Sequence, residues 1–239
     1  MENTLIVIPT YNEVDNIEAI IHELLSICEN YHAVIVDDSS PDGTGALVEI
    51  LISKYPERLF LVSRSKKEGL GLAYLHAFRW ALARDYKFIF EMDADFSHNP
   101  QDIPKMKQEL SNGTDLVIGS RYIDGINVVN WPLGRILLSL CASYYVKFFM
   151  GLPVKDATAG FVGYKAEVLE AIDLDSVKFV GYAFQIELKY KAWKKGFKLK
   201  EYSIIFLNRT KGQSKMNGSI IWEAIYAVIY LRIQSLFKF

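Results

Sequence analysis

The sequence predicts an α/β fold, with a mostly parallel central sheet flanked by helices, on three observations. Short apolar runs alternate with helical patterns from residue 5 to residue 118; such alternation implies parallel strands joined by right-handed crossovers. Several of the runs end in carboxylates or a Gly-containing turn, the edge at which open α/β sheets hold ligands. After Gly119 the alternation gives way to longer, greasier helical stretches.

Residues 5–8 (LIVI) form the first strand, stopped by Pro9, which cannot extend a ladder. Ile17, Ile20, Ile21, Leu24 and Leu25 share one helical face. Residues 33–36 are a second strand ending at Asp37-Asp38, and Leu47, Ile50 and Leu51 mark the next helix, with Asp42 or Thr44 as its cap. Residues 59–62 are a third strand. Leu75, Phe78 and Leu82 give a helix, residues 87–92 a fourth strand, Ile103, Met106 and Leu110 another helix, and residues 115–118 a fifth strand. Beyond these, residues 133–152 read as a mostly apolar helix, 203–207 as a further strand, 208–219 as a polar stretch and 220–239 as a final helix. With no repeat or linker, residues 1–219 are read as one catalytic domain and 220–239 as an appended amphipathic helix.

Bulk properties narrow the function. With 239 residues, 51% of them hydrophobic, the chain can bury a sizeable core. A net charge of −1 argues against bulk attraction to nucleic acid. Cys28 and Cys141 lie in apolar helical patterns and read as small buried hydrophobes. The four histidines have no metal-ligand spacing, so no zinc site is expected. The first apolar run is too short for a signal peptide, and no run of about 18 apolar residues predicts a transmembrane helix.

Asp93-Ala94-Asp95 is the most informative motif. Two carboxylates separated by one residue, at the carboxyl end of a buried strand, suit a hard divalent cation bridging to a diphosphate. At the end of the first strand, Tyr11 and Glu13 read equally as a nucleoside pocket or as an ordinary strand-to-helix turn. Asp37-Asp38-Ser39-Ser40-Pro41-Asp42-Gly43-Thr44 can hold a ribose or base while Asp42 caps a helix; without a Gly-x-Gly-x-x-Gly pattern it is not a dinucleotide site. Lys66-Lys67-Glu68-Gly69-Leu70-Gly71 is a basic turn near phosphates or a solvated loop. Arg121 follows the fifth strand on the same edge as Asp93, and Arg135 and Ser139 lie one helical turn apart, which suits a phosphate whose tail runs along a greasy helix, or alternatively a snorkelling Arg. Arg209 to Lys215 is a basic, Gly-containing loop of the composition used in phosphate-binding lids.

In their order along the chain these motifs resemble a family 2 (GT-A type) glycosyltransferase, and within it the dolichyl-phosphate mannosyltransferase group, or polyprenol monophosphomannose synthases. Further support comes from Gly119-Ser120-Arg121-Tyr122, Thr158-Ala159-Gly160-Phe161 and Gly181-Tyr182-Ala183-Phe184-Gln185-Ile186-Glu187. The resemblance implies a GT-A nucleotide-sugar-binding fold, a GDP-mannose donor, a polyprenyl phosphate acceptor and Mg2+ or Mn2+. It implies that Pro9, Tyr11, Glu13, Val36, Asp38, Asp93, Ala94, Asp95, Arg209 and Lys215 bind the nucleotide sugar. Asp93 and Asp95 hold the metal in this picture, with Ser97 a further ligand either directly or through water. Arg121, Arg135 and Ser139 hold the acceptor phosphate, and catalysis rests on Asp93, Asp95, Arg121 and Arg209. No general base is implied, since a phosphate acceptor is already an anion.

The two greasy helices are then expected at a membrane surface, placing the chain peripherally on the cytoplasmic face of a membrane. A membrane-anchoring partner protein or a homodimer is left open. Three rivals remain at this point: a UDP-glucose-dependent transferase to the same lipid phosphate, a glycan-extending relative with Gln185-Ile186-Glu187 as the nearest source of a base, and a non-catalytic binding module, against which the retained charges of Asp93, Asp95, Arg121 and Arg209 speak.

Overall fold

The structure, a computed structural model, describes residues 3–181, 183–208 and 219–235. Its main sheet has the order β3-β2-β1-β4-β7-β5-β8, built from β1 (Thr4–Thr10), β2 (Tyr31–Asp37), β3 (Leu59–Ser63), β4 (Phe88–Glu91), β5 (Leu116–Ser120), β7 (Val162–Lys165) and β8 (Leu199–Ser203). All neighbours run parallel except β7, which is antiparallel to both β4 and β5. A small parallel pair, β6 (Val128–Val129) with β9 (Phe206–Leu207), stands apart.

Strand alternation sorts the core into two layers. Leu5 and Val7 of β1 face one side, Ile6 and Ile8 the other. The Ile6 side is covered by α1 (Val14–Ile27), α2 (Thr44–Ile52) and α4 (Ile103–Ser111). The Leu5 side is covered by α3 (Leu70–Leu82), α6 (Ala166–Ala171), α7 (Ala183–Lys194) and parts of α5 (Leu133–Met150) and α8 (Ser219–Gln234). The α1 stripe of Ile17, Ile20, Ile21, Leu24 and Leu25 is buried as its period predicts. In α2 the buried face is Thr44, Val48 and Leu51 rather than one including Ile50, which is 64% exposed.

Four expectations need correction. The strand β7 is absent from the sequence reading. Its Gly163 lies under the Phe90 ring, where an added Cβ would collide, so β7 can sit between β4 and β5 only with glycine there. The strand expected at 203–207 is instead the end of β8 and the separate β9, interrupted at Ile204, which turns into the core, and Ile205, which is exposed. Cys141 is exposed and Cys28 half-buried, so neither is a core residue. Finally, α5 is long and apolar enough by length and composition to cross a membrane, with mean hydropathy 1.3 over its 18 residues, although none was expected.

Helix α5 ends at Gly151, whose φ of 71° closes the last turn in the left-handed conformation glycine favours. Only Ser143, Val146 and Met150 of α5 are buried. Leu133, Leu137, Tyr144, Phe148 and Phe149 are exposed, and on the adjoining α8 so are Trp222, Tyr226, Ile229 and Ile233. Helix α8 is also anchored inward, through Ala227, Val228 and Leu231.

Candidate active site

The chain runs from β1 outward to β2 and β3, then crosses back to β4 on the other side of β1. The carboxyl ends of β1 and β4 therefore flank a topological switch point, where a crevice opens because the connections leave in opposite directions. Tyr11 and Glu13 follow β1, Asp37 and Asp38 end β2, and Asp93 to His98 follow β4.

The β1 and β2 turns are stitched together. The Thr10 hydroxyl donates to Asp37 Oδ1 (2.9 Å), and Asp38 N–H donates to Thr10 O (3.1 Å). The first N–H groups of α1, which have no intrahelical partner, go to the next turn: Glu13 N–H to Thr44 Oγ1 (3.0 Å) and Val14 N–H to Asp42 Oδ2 (3.1 Å). Asp42 also accepts the Thr44 N–H, although the N-cap of α2 is Gly43 rather than Asp42 or Thr44 as expected. Glu13 orients Asn16 through its Oε2 (3.1 Å).

Asp38 is buried and paired with Arg64 at 2.9 Å. Burial raises the Asp38 carboxyl, and the Arg64 guanidinium opposes that rise. Arg64 had no role in the sequence reading, although its position one residue past β3 puts it on the ligand-bearing edge. Lys67 Nζ lies 4.3 Å from the centroid of the Tyr11 ring, so the basic turn does reach this site, while Lys66 is exposed and paired with Glu68. Among the expected nucleotide-binding residues, Pro9, Tyr11, Glu13 and Asp38 gather here. The Val36 side chain instead lies wholly in the core and Ala94 is buried.

The loop after β4 is held tightly. Asp93 N–H donates to His98 Nδ1 (3.1 Å), and Ser97 N–H donates to Asp95 Oδ1 (3.0 Å). Asp95 and Ser97 are buried and Asp93 is half-buried. Phe96 adopts a φ of 59°, the turn that folds Asp95 and Ser97 toward each other. His98 is the functional-edge residue the sequence reading passed over: it stacks on Phe161 (4.9 Å between centroids) and burial holds its imidazole down at about 4. With Nδ1 accepting, the neutral ring carries its proton on Nε2.

No group of three or more His, Cys, Asp or Glu side chains converges as a metal cage among the described residues. Two carboxylates and a hydroxyl on one tight turn nevertheless fit Mg2+ or Mn2+, which commonly take only one or two protein carboxylates and complete their shell with phosphate and water.

The acceptor-side residues converge on Tyr122 and Trp131. Tyr122 touches Ser139 and lies within electrostatic reach of both Arg121 and Arg135. The two guanidinium carbons lie 5.4 Å (Arg121) and 3.8 Å (Arg135) from the Trp131 ring centroid. Arg135 also donates to Asn208 Oδ1 (3.2 Å), joining the start of α5 to the end of β9. Arg121 is more deeply engaged than its motif suggests. It is buried, donates through Nε and NH2 to Asp156 (2.7 and 2.6 Å), and reaches Thr158 Oγ1 (2.8 Å). Phe206 bridges the two halves, contacting His98 on one side (5.5 Å) and Trp131 on the other (5.2 Å). Arg209 and Lys215 lie outside the described residues.

Glu187, considered as a base, is buried. It accepts the N–H groups of Lys178 and Phe179 and pairs with Lys191 at 2.8 Å. A carboxylate so occupied in capping a loop is not available to a sugar hydroxyl.

Comparison with known proteins gives the family and the fold. Residues 5–173 match the family model described as glycosyl transferase family 2. A polyprenol monophosphomannose synthase of Mycolicibacterium smegmatis is 45% identical over 227 residues, covering 95% of this chain and 86% of that protein. An undecaprenyl-phosphate mannosyltransferase of Micrococcus luteus is 39% identical, covering 94% and 91%. A dolichol-phosphate mannosyltransferase of Pyrococcus furiosus is 36% identical, covering 91% of this chain and 60% of that one. Among solved structures, glucosyl-3-phosphoglycerate synthase from Mycobacterium tuberculosis, in complex with Mn2+, UDP-glucose and phosphoglyceric acid, superposes with a TM-score of 0.72 at 17% identity, covering 97% and 80% of the respective chains; it supports the fold.

Proposed function

The chain belongs to glycosyl transferase family 2, and on that premise we propose that it moves mannose onto the phosphate of a polyprenyl phosphate. The similarity to polyprenyl-phosphate mannosyltransferases over nearly the whole chain supports the reaction. The observation that carries it is the juxtaposition of two unlike half-sites on one sheet edge. The Asp93/Asp95 turn suits a divalent cation that would bridge to a nucleotide diphosphate, while the Arg121, Arg135 and Ser139 cluster suits a monoanionic or dianionic phosphate at the start of an exposed apolar helix.

The donor in this reading is GDP-mannose, held by Pro9, Tyr11, Glu13, Asp38 and the turn after β4, with Arg209 and Lys215 contributing charge. Asp93 and Asp95, with Ser97 beside them, are the residues that would hold Mg2+ or Mn2+; such an ion, when bound, neutralises charge on the departing diphosphate. The acceptor phosphate oxygen forms a bond to the anomeric carbon as the bond from that carbon to the diphosphate breaks, with inversion. The electron pair leaves with GDP. The acceptor arrives ionised near neutral pH, so no proton needs removal and the protein's task is placement and charge compensation. Arg135 and Ser139 act at that phosphate. Arg121, fixed by Asp156, acts there with them.

The exposed apolar residues of α5 and α8 form the face that meets the membrane, with aromatic side chains such as Tyr144, Trp222 and Tyr226 suited to its interface. On this reading the chain is peripheral, at the cytoplasmic face, with residues 1–219 as the catalytic unit and α8 as an interfacial helix; residues 236–239 of the expected C-terminal helix lie outside the described residues.

A transfer assay in detergent, presenting GDP-mannose and UDP-glucose in parallel with polyprenyl phosphate and Mn2+ or Mg2+, tests the donor. Label entering the lipid phase from GDP-mannose is the expected result. Label from UDP-glucose alone would keep the fold and mechanism but overturn the sugar.

A further inference from the structure

We propose that Lys189 is a positioning residue that, through Gln185 and Glu91, ties the strand leading to Asp93 to the loop that anchors Arg121. The inference rests on the reading above, in which the Arg121 side of the site takes the acceptor phosphate.

Lys189, in the middle of α7, is fully buried. Its Nζ donates to the carbonyls of Ala159 (2.6 Å), Ala157 (3.2 Å) and Gln185 (3.2 Å), and to Gln185 Oε1 (3.4 Å). The other end of the Gln185 amide, Nε2, donates to Glu91 Oε2. Glu91, fully buried in β4, also accepts from the Tyr164 hydroxyl (2.9 Å). One amide thus joins a buried cation to a buried carboxylate, its oxygen toward the first and its nitrogen toward the second.

The carbonyls that Lys189 grips flank Thr158 and follow Asp156, the two residues Arg121 holds from the opposite side. The short loop from Asp156 to Ala159 is therefore clamped between two cations. Along the path the formal charges alternate: Glu91, Lys189, Asp156, Arg121. Removing four charges from water is costly before pairing, and well-packed apolar groups commonly stabilise a core as well or better. Apolar packing, however, does not dictate where a particular carbonyl sits. Hydrogen bonds from an ammonium do, and here they fix the loop beneath Arg121 relative to β4, two residues before Asp93.

Kinetics of Lys189→Met and of Glu91→Gln/Lys189→Met, on the full chain in detergent with GDP-mannose and polyprenyl phosphate, test this. The double variant removes both charges, so no uncompensated ion is left buried. If neither folds, Gln185→Met severs the bridge without deleting a charge and carries the same expectation. The acceptor KM should rise about tenfold or more, because a small displacement of binding groups is costly, while the donor KM changes less than about twofold. If both KM values stay at wild type and kcat falls only with the folded fraction, the residue is merely structural and the proposal is overturned; an equal rise in donor KM also overturns it. A wild-type protein that transfers no mannose to the lipid phosphate would instead overturn the underlying functional reading.

Discussion

Asp156→Asn changes one buried charge and almost no volume. Asp156 is fully buried and accepts three hydrogen bonds from Arg121, at 2.6, 2.7 and 3.0 Å. Burial pushes its carboxyl up, but the charge and hydrogen bonds of Arg121 hold it below its ordinary value, so it is ionised at neutral pH. An amide offers a single oxygen to that fork and turns an N–H2 group toward a guanidinium that is itself buried. Breaking a buried pair by removing one partner costs about 3–5 kcal/mol. At about 2–4 °C per kcal/mol for a chain of this size, Tm should fall by roughly 6–20 °C. Urea unfolding at pH 7.5 measures the free energy directly. Glu18→Gln serves as the comparison, because Glu18 and Lys54 form a pair more than half exposed (57% and 58%) at 3.3 Å, expected to contribute less than about 1 kcal/mol. A loss for Asp156→Asn no larger than that for Glu18→Gln would refute the reasoning that this pair is a desolvated, mutually dependent unit.

Asp95→Asn should lower transfer by about 100- to 1,000-fold and abolish the chelator sensitivity of nucleotide binding, with an unchanged circular dichroism spectrum; wild-type turnover in that variant would remove Asp95 from the metal site. For His98, burial sets the folded value at about 4 against about 6.5 unfolded. The unfolded chain binds the extra proton between those values, so stability is constant above about pH 6.5 and falls as pH drops toward 4. Between pH 7.5 and pH 5 that contribution is about 2 kcal/mol, and His98→Asn should lose that much less than wild type over the same interval in urea titrations; equal losses would assign the proton elsewhere. Phe148 and Trp222 are 83% and 73% exposed, and replacing both with Ser should weaken binding to phospholipid vesicles by about tenfold or more, leaving transfer to a short-chain acceptor in detergent intact. Unchanged vesicle binding would move the membrane face elsewhere.

The strands β1 to β5 are legible because each is an apolar run bounded by turn residues, although β3 is mostly half-buried, and the Asp93/Asp95 turn stands out by its place at a strand end. What could not be read depends on partners distant in sequence. Nothing local marks β7, whose four residues Val-Gly-Tyr-Lys make sense only beneath Phe90. The β8 strand carries Lys200 and Glu201 because it is an edge strand, and that polarity hid it. The Arg121 to Asp156 pair spans 35 residues, and Arg64 gains meaning only once β3 lies beside β2. Val36 is adjacent to the site in sequence while its side chain points into the core.

In the proposed reaction the nucleophile is a lipid phosphate, so that no side chain need act as a base. Transfer of labelled mannose from GDP-mannose should be measured with polyprenyl phosphate and with the corresponding polyprenol, each with and without chelator. The account predicts metal-dependent label in the phosphorylated lipid and none in the alcohol. Comparable transfer to polyprenol, or to a soluble glycan offered in its place, would contradict it.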